Sequence, residues 1–135
     1  TRYKELTTIL KDMQPFFDQK DVPLFVSGDF NSGSHLDWTE KAKHLFEGYA
    51  VKWPTSILML EKGFKDSYRE LYPDPVKYPC LTWSPMSKLD IQYRIDFIYY
   101  MGKNVKVTES KMIDQHPVRF PSDHAAMIST FKFKK

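Results

Sequence analysis

From Tyr93 to Met101 the chain reads Tyr-Arg-Ile-Asp-Phe-Ile-Tyr-Tyr-Met. Ile95, Phe97 and Tyr99 alternate with Arg94, Asp96 and Ile98. A period of two places the two sets on opposite faces of a strand. A strand this apolar belongs inside a sheet, and a carboxylate within it needs a partner, because an unpaired buried charge is costly. Arg94 and Asp96 share a face, and an ion pair between them is the purely structural way to meet that need. With 135 residues, the chain is expected to form one domain, residues 1–135, with a sizeable core.

The rest of the pattern supplies helices first and strands afterwards. Tyr3, Leu6, Ile9, Leu10 and Met13 recur at helical spacing, and Pro15 follows where a helix stops. Leu24-Phe25-Val26 reads as a short buried strand ending at Ser27-Gly28-Asp29. Trp38 to Phe46 reads as a short helix with Thr39 as its cap. Another helix starts at Pro54-Thr55, with Ile57, Leu60 and Phe64 on one face, and Asp66 to Leu71 continues as a turn of helix. Cys80 to Trp83, Val105 to Ile113 and Ala125 to Phe133 read as strands. Helices followed by a succession of strands imply an α+β fold.

Composition excludes several classes. Hydrophobic residues at 41% and charged residues at 27% are those of a globular chain, not a disordered one. No apolar run approaches the roughly 20 residues of a membrane span. The opening Thr1-Arg2-Tyr3-Lys4-Glu5 has no apolar signal-peptide core. Cys80 is the single cysteine, so no disulfide forms within the chain, and the compartment stays open. The net charge of +3 does not demand a nucleic-acid partner. Lys132, Lys134 and Lys135, alternating with Phe131 and Phe133, read as the wet face of a last strand.

Three short groups carry the chemistry. Gly28-Asp29-Phe30-Asn31 follows an apolar run, and Asp-x-Asn at a strand end puts both polar side chains on one face. Arg94-Ile95-Asp96 opens the strongest strand. Ser122-Asp123-His124 lies in a loop before the last strand and brings the side chain that titrates nearest neutral pH. His35 and Trp38, in the loop after Asn31, border the same region. Trp38 has two readings there, stacking on substrate or packing in the core while Asp37 caps the next helix.

In this order and at strand ends, the three groups resemble the endonuclease/exonuclease/phosphatase (DNase I-like) superfamily. Thr82-Trp83 and Gly63-Phe64-Lys65-Asp66 are similar to further segments of that family, and the resemblance spans residues 24 to 131. It implies an α/β sandwich of mostly antiparallel sheet with flanking helices, of which this chain is the carboxyl-terminal half. It implies metal-dependent hydrolysis of a phosphodiester or phosphomonoester, and so a nucleic-acid, phospholipid or sugar-phosphate substrate. Asp29 would orient or deprotonate the attacking water, and Asn31 would hold Asp29 and bond the phosphate. His124 would contact a non-bridging oxygen, with Asp96 fixing its tautomer. Asp123 would serve the metal, Mg²⁺ or Mn²⁺, directly or through water.

The amino-terminal half of that family supplies an Asn and a metal-binding Glu, and nothing before residue 29 matches them. Glu5 sits on the first helix. The chain is therefore expected to be a fragment inactive by itself, completed by the missing half or another chain. The competing expectation is a non-catalytic binding module that keeps the motifs as structure.

Overall fold

A computed structural model describes residues 1–19, 21–86 and 92–134. Lys135 of the terminal basic cluster lies outside the described residues. The fold is α+β. Helix α1 (Arg2–Asp12) and the short α2 (Gln14–Phe17) precede strand β1 (Leu24–Asp29). After a 3-10 turn come α3 (Pro54–Glu61), β2 (Lys65–Asp66), α4 (Ser67–Leu71), β3 (Asp96–Met101), β4 (Val105–Ile113) and β5 (Ala126–Phe133). One sheet has the order β1-β3-β2, the other is the β4-β5 hairpin, and all pairs are antiparallel. Among the described residues no helix is long and apolar enough to cross a membrane.

The outer face of the three-stranded sheet holds the main core. Phe97 and Tyr99 of β3 pack with Leu6 and Leu10 of α1, Met59 of α3 and Phe64, and Leu24 and Val26 of β1 border them. Leu6 and Leu10 are one helical turn apart and so share a face. Tyr3 and Ile9, expected beside them, are exposed, because the buried stripe of α1 is narrower than its apolar spacing. Pro15 falls in the first turn of α2, a position that tolerates its missing N–H.

The inner face of this sheet meets the hairpin. Phe25 and Tyr100 pack against Phe131 of β5, with ring centroids 4.9 Å apart in each case. Val105 and Val107 are buried with Tyr100. Cys80 packs its sulfur 3.8 Å from that of Met112 and 3.6 Å from that of Met127. Burial pushes its thiol up to about 12, which disfavours the reactive thiolate.

Three expectations need correction. The segment around residues 38–46 is not an α-helix. Only Lys43–Leu45 form a 3-10 turn, and Thr39 Oγ1 instead accepts from the Ala42 amide at 3.2 Å. Of its two readings Trp38 takes the packing one, in a second core, stacked on Phe46 at 4.3 Å and edge-on to Trp53 and Tyr93. Residues 80–83 form no regular strand, since Trp83 makes isolated bridges to Tyr93 and His124. Finally, β1 is a strand but not a buried one: it is the edge of its sheet, and Phe25 is 42% exposed.

Candidate active site

The expected Arg94–Asp96 ion pair does not form. Arg94, 1% exposed, turns away from Asp96 and reaches two other carboxylates. Its Nε and Nη2 donate to Asp37 at 3.0 and 3.2 Å, and its Nη1 and Nη2 donate to Asp66 at 3.0 and 2.6 Å. Arg69 Nε also donates to Asp37. Asp66 in addition caps α4 by accepting from the amides of Tyr68 and Arg69. Burial alone would weaken the Arg94 charge, but Asp37 and Asp66 outweigh it and raise its pKa well above the usual value. Asp37 is thus a partner of two arginines rather than a helix cap. This network ties the loop after Asn31 and the start of α4 to the residues just before β3.

Asp96 is left free for the site. Its Oδ2 lies 2.9 Å from His124 Nδ1. In the ladder of β1 and β3, Asp29 stands directly opposite Asp96. Asp29, Asp96 and His124 each present an atom within 4.8 Å of the others. Like charges directly opposite in a ladder are destabilising, and a positive charge between the two strands would offset that repulsion. Asn31 completes the group. Its Nδ2 donates to Asp29 Oδ2 at 2.8 Å, and its amide donates to Asp29 Oδ1 at 2.7 Å. A left-handed backbone at Asn31, φ 45°, folds the side chain back, and Asn is among the few non-glycine residues that accept it.

Asp123 is exposed and does not join this group of three, although its charge acts on His124. His35 is held elsewhere: its Nδ1 lies 2.7 Å from Ser56 Oγ, and burial lowers its pKa against the pull of Asp37 and Asp66.

Two features of the site were not read from the sequence as parts of it. The first is a cleft of about 240 Å³ lined by Asn31, Trp83, Tyr93, Ile95 and His124. The Trp83 ring lies 4.7 Å from that of His124, and the cleft opens beside the His124 imidazole and the Asn31 side chain. The second is Thr82, which is fully buried. Its Oγ1 accepts from the amides of Ile95 and Asp96 at 3.0 and 3.2 Å, and its carbonyl accepts from Ala125 at 2.8 Å. One threonine therefore sets both the start of β3 and the backbone beside His124. Thr82→Val keeps the shape and strands the two amides, which we expect to cost about 2–4 kcal/mol. Urea unfolding checks this, and Thr82→Ser, which keeps the hydroxyl, should lose much less.

The pKa of His124 is raised, first by the hydrogen bond to Asp96, against partial desolvation, and then by the charges of Asp96, Asp29 and Asp123. An NMR titration should therefore find His124 protonated to a higher pH than an ordinary histidine, with Asp96→Asn moving its midpoint downward. The linked stability has a definite sign. It is fully present below the unfolded-state value of about 6.5 and is lost as pH rises through the folded-state value.

The donor chemistry fits a hard divalent cation. Two carboxylates converge, an imidazole stands beside them, and Mg²⁺ takes few protein oxygens and keeps several waters. With Nδ1 on Asp96, the imidazole has its other nitrogen to offer a ligand.

No family model matches the chain. The chain is 35% identical to uncharacterized protein F14F9.5 of Caenorhabditis elegans over 84% of its own length and 42% of the relative's. It is 23% identical to nocturnin of Rattus norvegicus and 22% to that of Mus musculus, over 94% of the chain and 28% of each relative. The chain thus spans less than half the length of these curated relatives.

Proposed function

We propose that this chain carries part of the catalytic site of a metal-dependent phosphoesterase of the endonuclease/exonuclease/phosphatase type. The observation that carries the reading is the convergence of Asp29, Asp96 and His124 within 4.8 Å, drawn from three separate segments. Collinear similarity to the nocturnins over 94% of the chain and the motif resemblance support it.

Asp29 orients the attacking water and takes its proton, with Asn31 fixing the carboxylate through two hydrogen bonds. Asp96 holds the Nδ1 edge of His124, leaving Nε2 to meet a non-bridging phosphate oxygen where negative charge develops. Asp29 and Asp96 would hold the divalent ion, with Asp123 at the rim acting through water. Mg²⁺, or Mn²⁺ in its place, would neutralise charge on the phosphate and on the leaving oxygen. The aromatic cleft beside His124 would take the group next to the scissile phosphate. A nucleic acid is the substrate class we favour, because ring stacking on Trp83 is open to every base.

A polypeptide that includes this chain together with the remainder of its domain should hydrolyse a chromogenic phosphodiester in Mg²⁺ and stop on chelation. The 135 residues alone should show little turnover. Absence of metal-dependent turnover in the longer polypeptide would leave only the binding-module reading.

A further inference from the structure

Away from the carboxylates, a second set of ligand atoms converges, and all of them are sulfur. Cys80 is 3% exposed. Its Sγ lies 3.8 Å from Sδ of Met112 and 3.6 Å from Sδ of Met127. Met112 and Met127 stand directly opposite one another in the β4–β5 ladder, so both side chains leave the hairpin on one face. Met127 shares that face of β5 with Phe131, four residues on. The thiol comes from a third segment, two residues before Thr82. Both methionines are half-buried, so the cluster is reached from the methionine side.

Packing alone does not ask for this arrangement. Methionine is flexible and fills volume in many conformations, and leucine fills nearly the same volume. Here both thioethers turn their sulfur to the same thiol. The thiol is the weak donor and each thioether a weak acceptor, so one proton serves both. Three sulfurs in a plane around one ion, each about 2.3 Å from it, stand about 4 Å from one another. The two measured separations fall within a few tenths of an ångström of that spacing, and an ion would take the place of the shared proton.

The chemistry of the three donors selects the ion. Thiolate and thioether are soft ligands, which suit Cu(I) and repel a hard cation such as Mg²⁺. Charge narrows the choice further. The ionic groups that act on Cys80 are Arg94 and Arg69 against Asp37 and Asp66, two cations and two anions already paired with one another. One thiolate balances a monovalent ion and leaves a divalent one with an uncompensated charge, which is costly in a buried place. We infer that Cys80, Met112 and Met127 form a trigonal site for a soft monovalent cation, Cu(I) by chemical class. On binding, the S–H bond breaks, its proton leaves to water and the sulfur electron pair takes the ion. The inference is independent of the proposed function, because it uses no residue of the carboxylate cluster and no catalysis.

The test takes the polypeptide that contains this chain and titrates it, without oxygen, with Cu(I) held by bicinchoninate, whose colour is lost on transfer. One equivalent should transfer, and X-ray absorption should count three sulfurs at about 2.3 Å. Zn²⁺ should not displace the ion. Met112→Leu and Met127→Leu keep the volume, and circular dichroism checks that they keep the fold. Changes outside the ligand shell already weaken metal sites about 10–100-fold, so each loss of a ligand should weaken binding by at least about tenfold. Cys80→Ser should abolish transfer. Absence of transfer to the parent polypeptide overturns the inference. Leucine variants that bind as tightly as the parent also overturn it, leaving a lone thiol. Retention of the ion by Cys80→Ser overturns it too, by placing the ion elsewhere. If Cys80→Ser does not fold, the two leucine variants and the sulfur count decide alone.

Discussion

Arg94→Met should destabilise the fold by about 4 kcal/mol, the cost of removing one partner from a buried ion pair. The guanidinium donates four hydrogen bonds to Asp37 and Asp66, and its removal leaves two buried carboxylates facing one another. Asp37 keeps Arg69, and Asp66 keeps the two α4 amides, so the loss is less than the sum of two broken pairs. For a domain with a total stability of about 5–15 kcal/mol the change is severe, and a fall in melting temperature of about 15 °C is expected. Arg94→Lys should recover only part of it. A single ammonium is a compact point charge and cannot reproduce the planar fork that meets two carboxylates at once. Thermal unfolding followed by circular dichroism separates these outcomes. An Arg94→Met protein as stable as the parent would show that the network contributes nothing net.

That network also marks the limit of what the sequence makes legible. Periodicity places residues on faces, so the strands around Phe97, Val107 and Phe131 and the helix around Leu6 and Leu10 are visible in the amino-acid order. Motif spacing likewise picks out Asp29, Asn31, Asp96 and His124 as residues at strand ends. The partner of a buried charge is a matter of tertiary approach. Arg94 finds Asp37 at a separation of 57 residues and Asp66 at 28, whereas the neighbour two positions along, Asp96, is turned to His124. The segment from Trp38 to Phe46 has helix-like spacing but folds as turns, because Trp38 and Phe46 stack on one another and tertiary packing overrides a weak local preference. The apolar run at Leu24-Phe25-Val26 suggests burial on both faces, yet the strand lies at an edge. Apolar character records what a face can bury, not which strand of the sheet it belongs to.

In a catalytically competent longer polypeptide, His124→Ala should lower kcat by about 10²–10⁴-fold, the range for loss of a positioned acid–base or charge-stabilising group. Asp96→Asn separates that role from mere structure. The variant keeps the shape but offers an amide where His124 Nδ1 now meets a carboxylate at 2.9 Å. The imidazole loses the contact that raises its pKa and fixes its tautomer. We therefore expect a large loss in kcat together with a shift of the basic limb of the pH–rate profile to lower pH, because His124 then gives up its proton earlier. The expected change in KM is smaller, since Asn31, Trp83, Tyr93 and Ile95, which line the cleft with His124, are unaltered. Trp83→Ala gives the opposite split, raising KM more than it lowers kcat. If Asp96→Asn changes the melting temperature but leaves the pH profile in place, the Asp96–His124 contact is structural and the catalytic role assigned to His124 is wrong. If both rate and profile move while the fold is kept, the pair acts on the phosphate through the imidazole.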